Sequence, residues 1–179
     1  MGKDMSQAVS YYDMFDKDKQ TEVVRGLSRL HLTVAAAESC TGGLIAARLT
    51  DVPGASAVFH CGVVSYSNEI KTAVLGVKPE TLRDFSAVSA ETAAEMAAGV
   101  RRIAGADIAV AVTGNAGPEP SEGKPVGEVF ISVLCGWHQE TVRLNLKPEG
   151  RNTREQIRYM ASEKAFDMIL QALKMREGQ

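Results

Sequence analysis

Between Thr33 and Ala47 the chain reads TVAAAESCTGGLIAA. An apolar run breaks there into Glu38, Ser39, Cys40 and Thr41, four side chains able to take part in proton, acyl or phosphate chemistry, followed at once by Gly42 and Gly43. Glycines let another group approach the backbone closely. The pattern predicts a strand entering a helix, with Ser39 at the turn. The amides of Thr41, Gly42 and Gly43 then point at any anion held there, helped by the helix dipole. Such amides can hold a phosphate or an oxyanion. A serine at this place also serves as an ordinary helix cap, and spacing alone leaves both roles open. Cys40 is a rival nucleophile, but neighbours in an extended turn point different ways, so only one of the two faces a cleft.

A nucleophilic serine needs a base. The three histidines, His31, His60 and His138, fall before or within β-like segments and read as packed or solvated residues. Lysine is the alternative. Lys71, in SYSNEIK, falls on a helix after the next strand, where partial burial would lower its pKa enough to accept a proton; an ordinary surface lysine is the other reading. The same cluster supplies Tyr66, able to hydrogen-bond Lys71 or the serine, and Asn68. Glu38 either orients the site or neutralises Lys71.

A third polar cluster, TGNAGPEPSEGKPVG, contributes Thr113, Gly114, Asn115 and Gly117. It fails as a phosphate-binding P-loop. Five residues lie between Gly117 and Gly123, one more than that motif has, and Pro125 stands where Ser or Thr would bind magnesium. Neither G-x-G-x-x-G after a strand nor G-x-S-x-G around Ser39 is present.

The elements that must position these clusters follow from periodicity. A helix from about Lys17 carries Val23, Val24, Leu27 and Leu30 on one face, and LTVAAA is a short buried strand. TGGLIAARLT reads as a helix stopped at Pro53 and Gly54. AVFHCGVVSY is a strand, and SNEIKTAVLG a helix capped at Ser67 or Asn68 and ended by Gly76. PETLRDF is a short helix. Ser89 caps a longer one, with Ala93, Met96, Ala97 and Val100 at i, i+3, i+4 and i+7.

DIAVAVTG is a strand buried on both faces. GEVFISVLC and QETVRLNL, only a few residues apart, form an antiparallel pair. A helix from about Asn152 to Lys174 turns Ile157, Ala161, Met168, Ile169 and Ala172 inward. The sum is a three-layer α/β/α sandwich with a mixed, mostly parallel sheet plus a C-terminal antiparallel hairpin. In open α/β sheets ligands collect beyond the carboxyl ends of the strands, where all three clusters fall.

With 179 residues, 45% hydrophobic and 23% charged, the chain can bury one full core. We expect residues 1–15 to be an N-terminal extension and 16–176 a single domain. A net charge of -2 without a Lys/Arg run argues against nucleic acid as partner. Cys40, Cys61 and Cys135 suit a reduced protein, and no Cys/His spacing resembles a zinc site. No stretch reads as a signal peptide or reaches the ~18 apolar residues of a membrane span. The expectation is a soluble cytoplasmic protein with a small-molecule partner, without membrane association, metal or cofactor.

Taken in order, AAESCTGGLIAARLTDVPGASAVFHCGVVSYSNEIKTAVLGV, AVSAETAAEMAAGVRR, VAVTGNAGP and KPVGEVFIS resemble the C-terminal domain of the competence-damage protein CinA, in its free-standing form. The resemblance runs from about Thr21 to Leu173. It implies a nicotinamide-nucleotide amidase, which hydrolyses nicotinamide mononucleotide to nicotinic acid mononucleotide and ammonia in pyridine-nucleotide recycling, and a homo-oligomer. It implies Ser39 as nucleophile and Lys71 as base, Tyr66 and Thr113 assisting, and Cys40 a buried bystander. Thr41, Gly42, Gly43, Asn68, Gly114 and Asn115 then line the substrate. Arg151, in EGRNTREQIR, matches the family's phosphate-binding arginine, with Arg154 and Arg158 as near alternatives. The chain departs from the family at Asn115, where an apolar residue is common, and at the EGR stretch, where Gly-Asp-Arg is usual. A non-catalytic nucleotide-binding or regulatory module is the alternative function.

Overall fold

The computed structural model describes residues 18–151 and 153–178. The expected extension at 1–15, Lys17 as a helix start and Asn152 lie outside the described residues. Helix α1 (Asp18–Arg29) leads into β1 (Val34–Glu38), α2 (Leu44–Thr50), a 3-10 turn (Ala55–Ala57) and β2 (Phe59–Val64). Helix α3 (Asn68–Ile70) runs on as a π-helical turn (Lys71–Leu75). Helices α4 (Pro79–Phe85) and α5 (Ala90–Ala104), strands β3 (Ile108–Gly114), β4 (Glu128–Cys135) and β5 (Gln139–Asn145), and α6 (Thr153–Glu177) complete the chain.

The five strands form one sheet in the order β2-β1-β3-β4-β5. Strand β1 is parallel to both β2 and β3, whereas β4 is antiparallel to β3 and to β5. Only β4 therefore runs against the other four. The short connection after β4 permits a hairpin but no crossover, as its length dictates.

The two faces of the sheet differ in side-chain size. On one, Val34, Val110, Val112, Ile131 and Val133 bury against Val23, Val24 and Leu27 of α1, Ile45 and Leu49 of α2, and Ile157, Phe166 and Ile169 of α6. On the other, Ala35, Ala37, Ala109 and Ala111 face Met96, Ala97 and Val100 of α5 and Leu75 of the π turn. Alanines leave room for α5 to approach closely. The approach is so tight that a Cβ on Gly99 of α5 would stand 2.0 Å from the Leu75 carbonyl oxygen. Helix α5 thus fixes the backbone of the turn that carries Lys71.

Helix α2 begins at Leu44, later than the run TGGLIAARLT predicts. Gly42 and Gly43 sit at φ of +60° and +90°, left-handed values that glycine tolerates and that hold the chain outside the helix.

Candidate active site

The site follows from strand register. Glu38, the last residue of β1, lies opposite Val64 of β2 and Val112 of β3. One residue further on, Ser39, Ser65 and Thr113 share the carboxyl edge of the sheet. The Ser39 amide donates to the Val112 carbonyl at 2.9 Å, and the Ser65 amide to the Glu38 carbonyl at 2.8 Å. This parallel pairing turns two sequence-distant loops into one cleft.

Lys71 reaches that edge from its π-helical turn. The preceding α3 is capped by Ser67, whose hydroxyl accepts from the Ile70 amide at 3.3 Å. The Lys71 side chain is buried, with 1% exposed; its Nζ donates to Ser39 Oγ at 3.2 Å and to the Ser65 carbonyl at 2.8 Å. Burial holds its pKa below the ordinary 10.5, with the Glu122 carboxylate partly opposing that effect. Among the described residues no ion pair includes Lys71. In its deprotonated form this amine can turn its lone pair to the serine hydroxyl, the arrangement that a Ser–Lys nucleophile requires.

A cavity of about 390 Å³ opens over this pair. That volume falls in the range of small-molecule sites. Ser39, Tyr66, Asn68, Lys71, Thr113, Gly114 and Asn115 all line it, together with Arg154 and the loop from Ala116 to Glu122. Thr113 is buried and donates its hydroxyl to the Ala87 carbonyl at 2.7 Å, leaving its oxygen free to accept. The exposed Tyr66 accepts at its OH from Arg154 Nη2 at 2.8 Å, so its own proton remains to be donated. Cys40 also lines the cavity, but burial pushes its thiol up to about 12, leaving it a protonated neighbour of the serine.

The expected anion cradle at Thr41, Gly42 and Gly43 is corrected: none of the three lines the cavity. The buried carboxylate of Glu38 takes the helix amides instead. Its Oε2 accepts from Gly43 at 3.0 Å and from Ile45 at 3.1 Å, and its Oε1 from Ala46 at 2.9 Å. The Gly42 amide donates to the Ser39 carbonyl at 3.0 Å. A helix starting at Leu44 leaves its free amides beside the end of β1, where the chain supplies its own anion. Thr41 is fully buried, and its carbonyl accepts from both Nε and Nη2 of Arg158 at 3.1 and 2.8 Å.

Arg151 is also displaced from its expected place. It lies exposed before the first turn of α6 and does not line the cavity, whereas Arg154 in that turn does. Arg158, one turn further, is spent on the Thr41 carbonyl. Asn115 lines the cavity wall with both polar atoms engaged by its own loop: Oδ1 accepts from the Gly117 amide at 2.8 Å, and Nδ2 donates to the carbonyls of Glu119 and Lys124 at 3.0 and 3.1 Å.

Sequence reasoning missed the Glu38 clamp and the part played by Glu122, whose Oε2 accepts from the Ala87 amide at 3.0 Å and so ties the glycine-rich loop to the segment holding Thr113. The first had a signal, an acid just ahead of a helix start. The second had none, because it depends on how a long loop folds back. Among the described residues, no group of three or more His, Cys, Asp or Glu is placed to hold a metal ion. No helix among them is long and apolar enough to cross a membrane.

Comparison with known proteins gives one answer at every level. The CinA C-terminal domain family matches residues 16–173. A relative from Acetivibrio thermocellus, named for competence-damage induction, is 49% identical over 159 residues, covering 88% of this chain and 38% of its own length. A CinA-like protein of Thermotoga neapolitana is 45% identical over 166 residues, 92% of this chain and 40% of its own. The chain therefore spans about two fifths of these curated relatives. Among solved structures, a CinA superfamily protein of Klebsiella pneumoniae superposes with a TM-score of 0.84 at 36% identity, covering 89% of this chain and 98% of that one. The competence/damage inducible protein CihA of Agrobacterium tumefaciens gives 0.81 at 40% identity, over 88% and 94%.

Proposed function

We propose, from the premise that this chain belongs to the CinA C-terminal domain family, that it is an amidohydrolase that releases ammonia from the carboxamide of nicotinamide mononucleotide. The observation that carries the reading is the buried Lys71 Nζ at 3.2 Å from Ser39 Oγ, at the floor of a cavity lined by Arg154.

Ser39 Oγ attacks the carboxamide carbon as its proton passes to the neutral Lys71 amine. The resulting tetrahedral adduct places its negative oxygen near the Lys71 ammonium, with the Tyr66 hydroxyl as a further donor. The amides of Gly42 and Gly43 are already engaged and take no part. Lys71 then returns its proton to the departing nitrogen, the C–N bond breaks, and ammonia leaves an acyl-serine. Water attacks that ester with Lys71 again accepting a proton, and Ser39 is regenerated as the carboxylate product departs.

Arg154, rather than Arg151, is suited to the 5′-phosphate, because a guanidinium can donate two parallel hydrogen bonds to it. Thr113 contributes an acceptor for the carboxamide N–H. Cytoplasmic residence, recycling of pyridine nucleotides and assembly into a homo-oligomer belong to the same reading.

The test is product identification. Purified protein incubated with nicotinamide mononucleotide yields nicotinic acid mononucleotide and ammonia in equal amounts, by proton NMR and an ammonia-coupled assay. No product above a Ser39→Ala control overturns the reading and favours a nucleotide-binding module without catalysis.

A further inference from the structure

Among the described residues of the cavity wall, Asn115 makes the most side-chain hydrogen bonds, three in all. Its Oδ1 fixes the Gly117 amide at 2.8 Å, while its Nδ2 pins the Glu119 and Lys124 carbonyls. Its backbone is held as firmly, by the Glu128 carbonyl and the Gly127 amide, each at 2.8 Å. It is 7% exposed, and no side-chain polar atom is left over for a ligand beyond the second lone pair of Oδ1.

The far side of Gly117 is where these bonds have their effect. The Gly117 carbonyl accepts from Arg154 Nη1 at 2.5 Å, and Arg154 Nη2 donates to Tyr66 OH at 2.8 Å. Two of the guanidinium's five donors are thereby fixed, and the plane of the fork with them. Gly117 itself has little freedom to move: it sits at φ +81°, and a Cβ there would meet Val126 at 2.9 Å. A continuous chain runs from the Asn115 amide through Gly117 to Arg154 and on to Tyr66 at the mouth of the cavity.

We propose that Asn115 is a positioning residue for Arg154: by fixing Gly117 it sets the angle at which the guanidinium meets the anionic end of the substrate, without touching the substrate itself. The inference rests on the proposed function for the identity of the ligand. It separates two ends of one molecule. Loss of Asn115 weakens recognition of the phosphate and leaves the carboxamide end, held at Ser39, Lys71 and Thr113, as it was.

The experiment measures binding to the Ser39→Ala protein, so that it reads independently of turnover. Isothermal titration compares nicotinamide mononucleotide with nicotinamide riboside, which lacks only the phosphate. In the Ser39→Ala background the mononucleotide binds at least tenfold more tightly than the riboside. Adding Asn115→Leu, similar in volume but unable to hydrogen-bond, shrinks that ratio to about threefold or less while riboside affinity stays within twofold. Asn115→Ala removes the same three bonds without adding a charge and gives the same reduced ratio; should the leucine variant not fold, the alanine variant decides. A ratio unchanged by substitution, equal weakening of both ligands in a folded variant, or no phosphate preference at the outset overturns the proposal. Failure to release ammonia, by contrast, strikes the amidase reading and leaves this ratio to be measured on its own.

Discussion

Ser39 and Lys71 stand 32 positions apart in the chain, yet Lys71 Nζ lies 3.2 Å from Ser39 Oγ. Two parallel strands explain the meeting, since β1 and β2 end in register and each hands its next residues to the same edge of the sheet. The lysine arrives from a short helix that widens into a π turn at Lys71 itself. Such turns are rare and occur often at functional sites.

The pH dependence follows from this burial. Only the neutral amine can accept the serine proton, so kcat/KM rises with pH through the Lys71 pKa, which burial places below the ordinary lysine value of 10.5. The Glu122 carboxylate favours the ammonium form and holds that pKa up. Glu122→Gln therefore moves the rising limb to lower pH. A pH–rate profile of both proteins checks it, and a shift to higher pH contradicts the electrostatic assignment.

Glu38 is expected to support the site through stability. Its carboxylate satisfies three amides at the start of α2, and replacing it leaves buried donors without a partner. Glu38→Ala should cost about 2–4 kcal/mol, a fall in Tm of about 4–16 °C for a chain of this size. Thermal unfolding followed by circular dichroism measures it; a change under 1 °C rules out the clamp.

Gly99 links the packing of α5 to the catalytic turn. A methyl group there stands 2.0 Å from the Leu75 carbonyl oxygen, a contact that side-chain rotation cannot relieve. Gly99→Ala should lose about 3 kcal/mol or more and reduce turnover by moving the Lys71 segment. Ala98→Ser, on the exposed side of the same helix, is the comparison and should leave both properties unchanged.

Cys40 should be dispensable despite touching both the cavity and the nucleophile. With its thiol pushed up to about 12, it holds almost no thiolate at neutral pH. Cys40→Ala is expected to keep turnover within about threefold, and iodoacetamide at pH 7.5 to leave activity intact. Rapid inactivation of the unmodified protein but not of Cys40→Ala would show a reactive thiol.

The sequence was most readable where a short-range rule decided the outcome. Ser89 capping α5, Ala93, Met96, Ala97 and Val100 facing the core, and the antiparallel pairing of β4 with β5 follow from local periodicity and a short connection, and each is found as expected. The grouping of Ser39, Lys71, Tyr66, Thr113 and Asn115 around one cavity was legible as well, since parallel strand order brings their loops to one edge. What stayed hidden depends on which partner an atom chooses in three dimensions. Glycines after a strand signal free amides, but not that Glu38 would claim them. Three arginines spaced along one stretch signal an anion site, but only the start of α6 at Thr153 decides that Arg154 enters the cavity and Arg151 does not. Asn115 invites a ligand contact until its loop closes over it.

The most direct test of the account is the rate of ammonia release from nicotinamide mononucleotide by the unmodified protein, Ser39→Ala, Lys71→Ala and the double variant. Residues that act as one unit are not additive in their loss. The account predicts that each single substitution lowers kcat by about 10³-fold or more and that the double variant is no slower than the worse single one. Near-normal release from either single variant, or losses that multiply in the double, would contradict a Ser39–Lys71 mechanism.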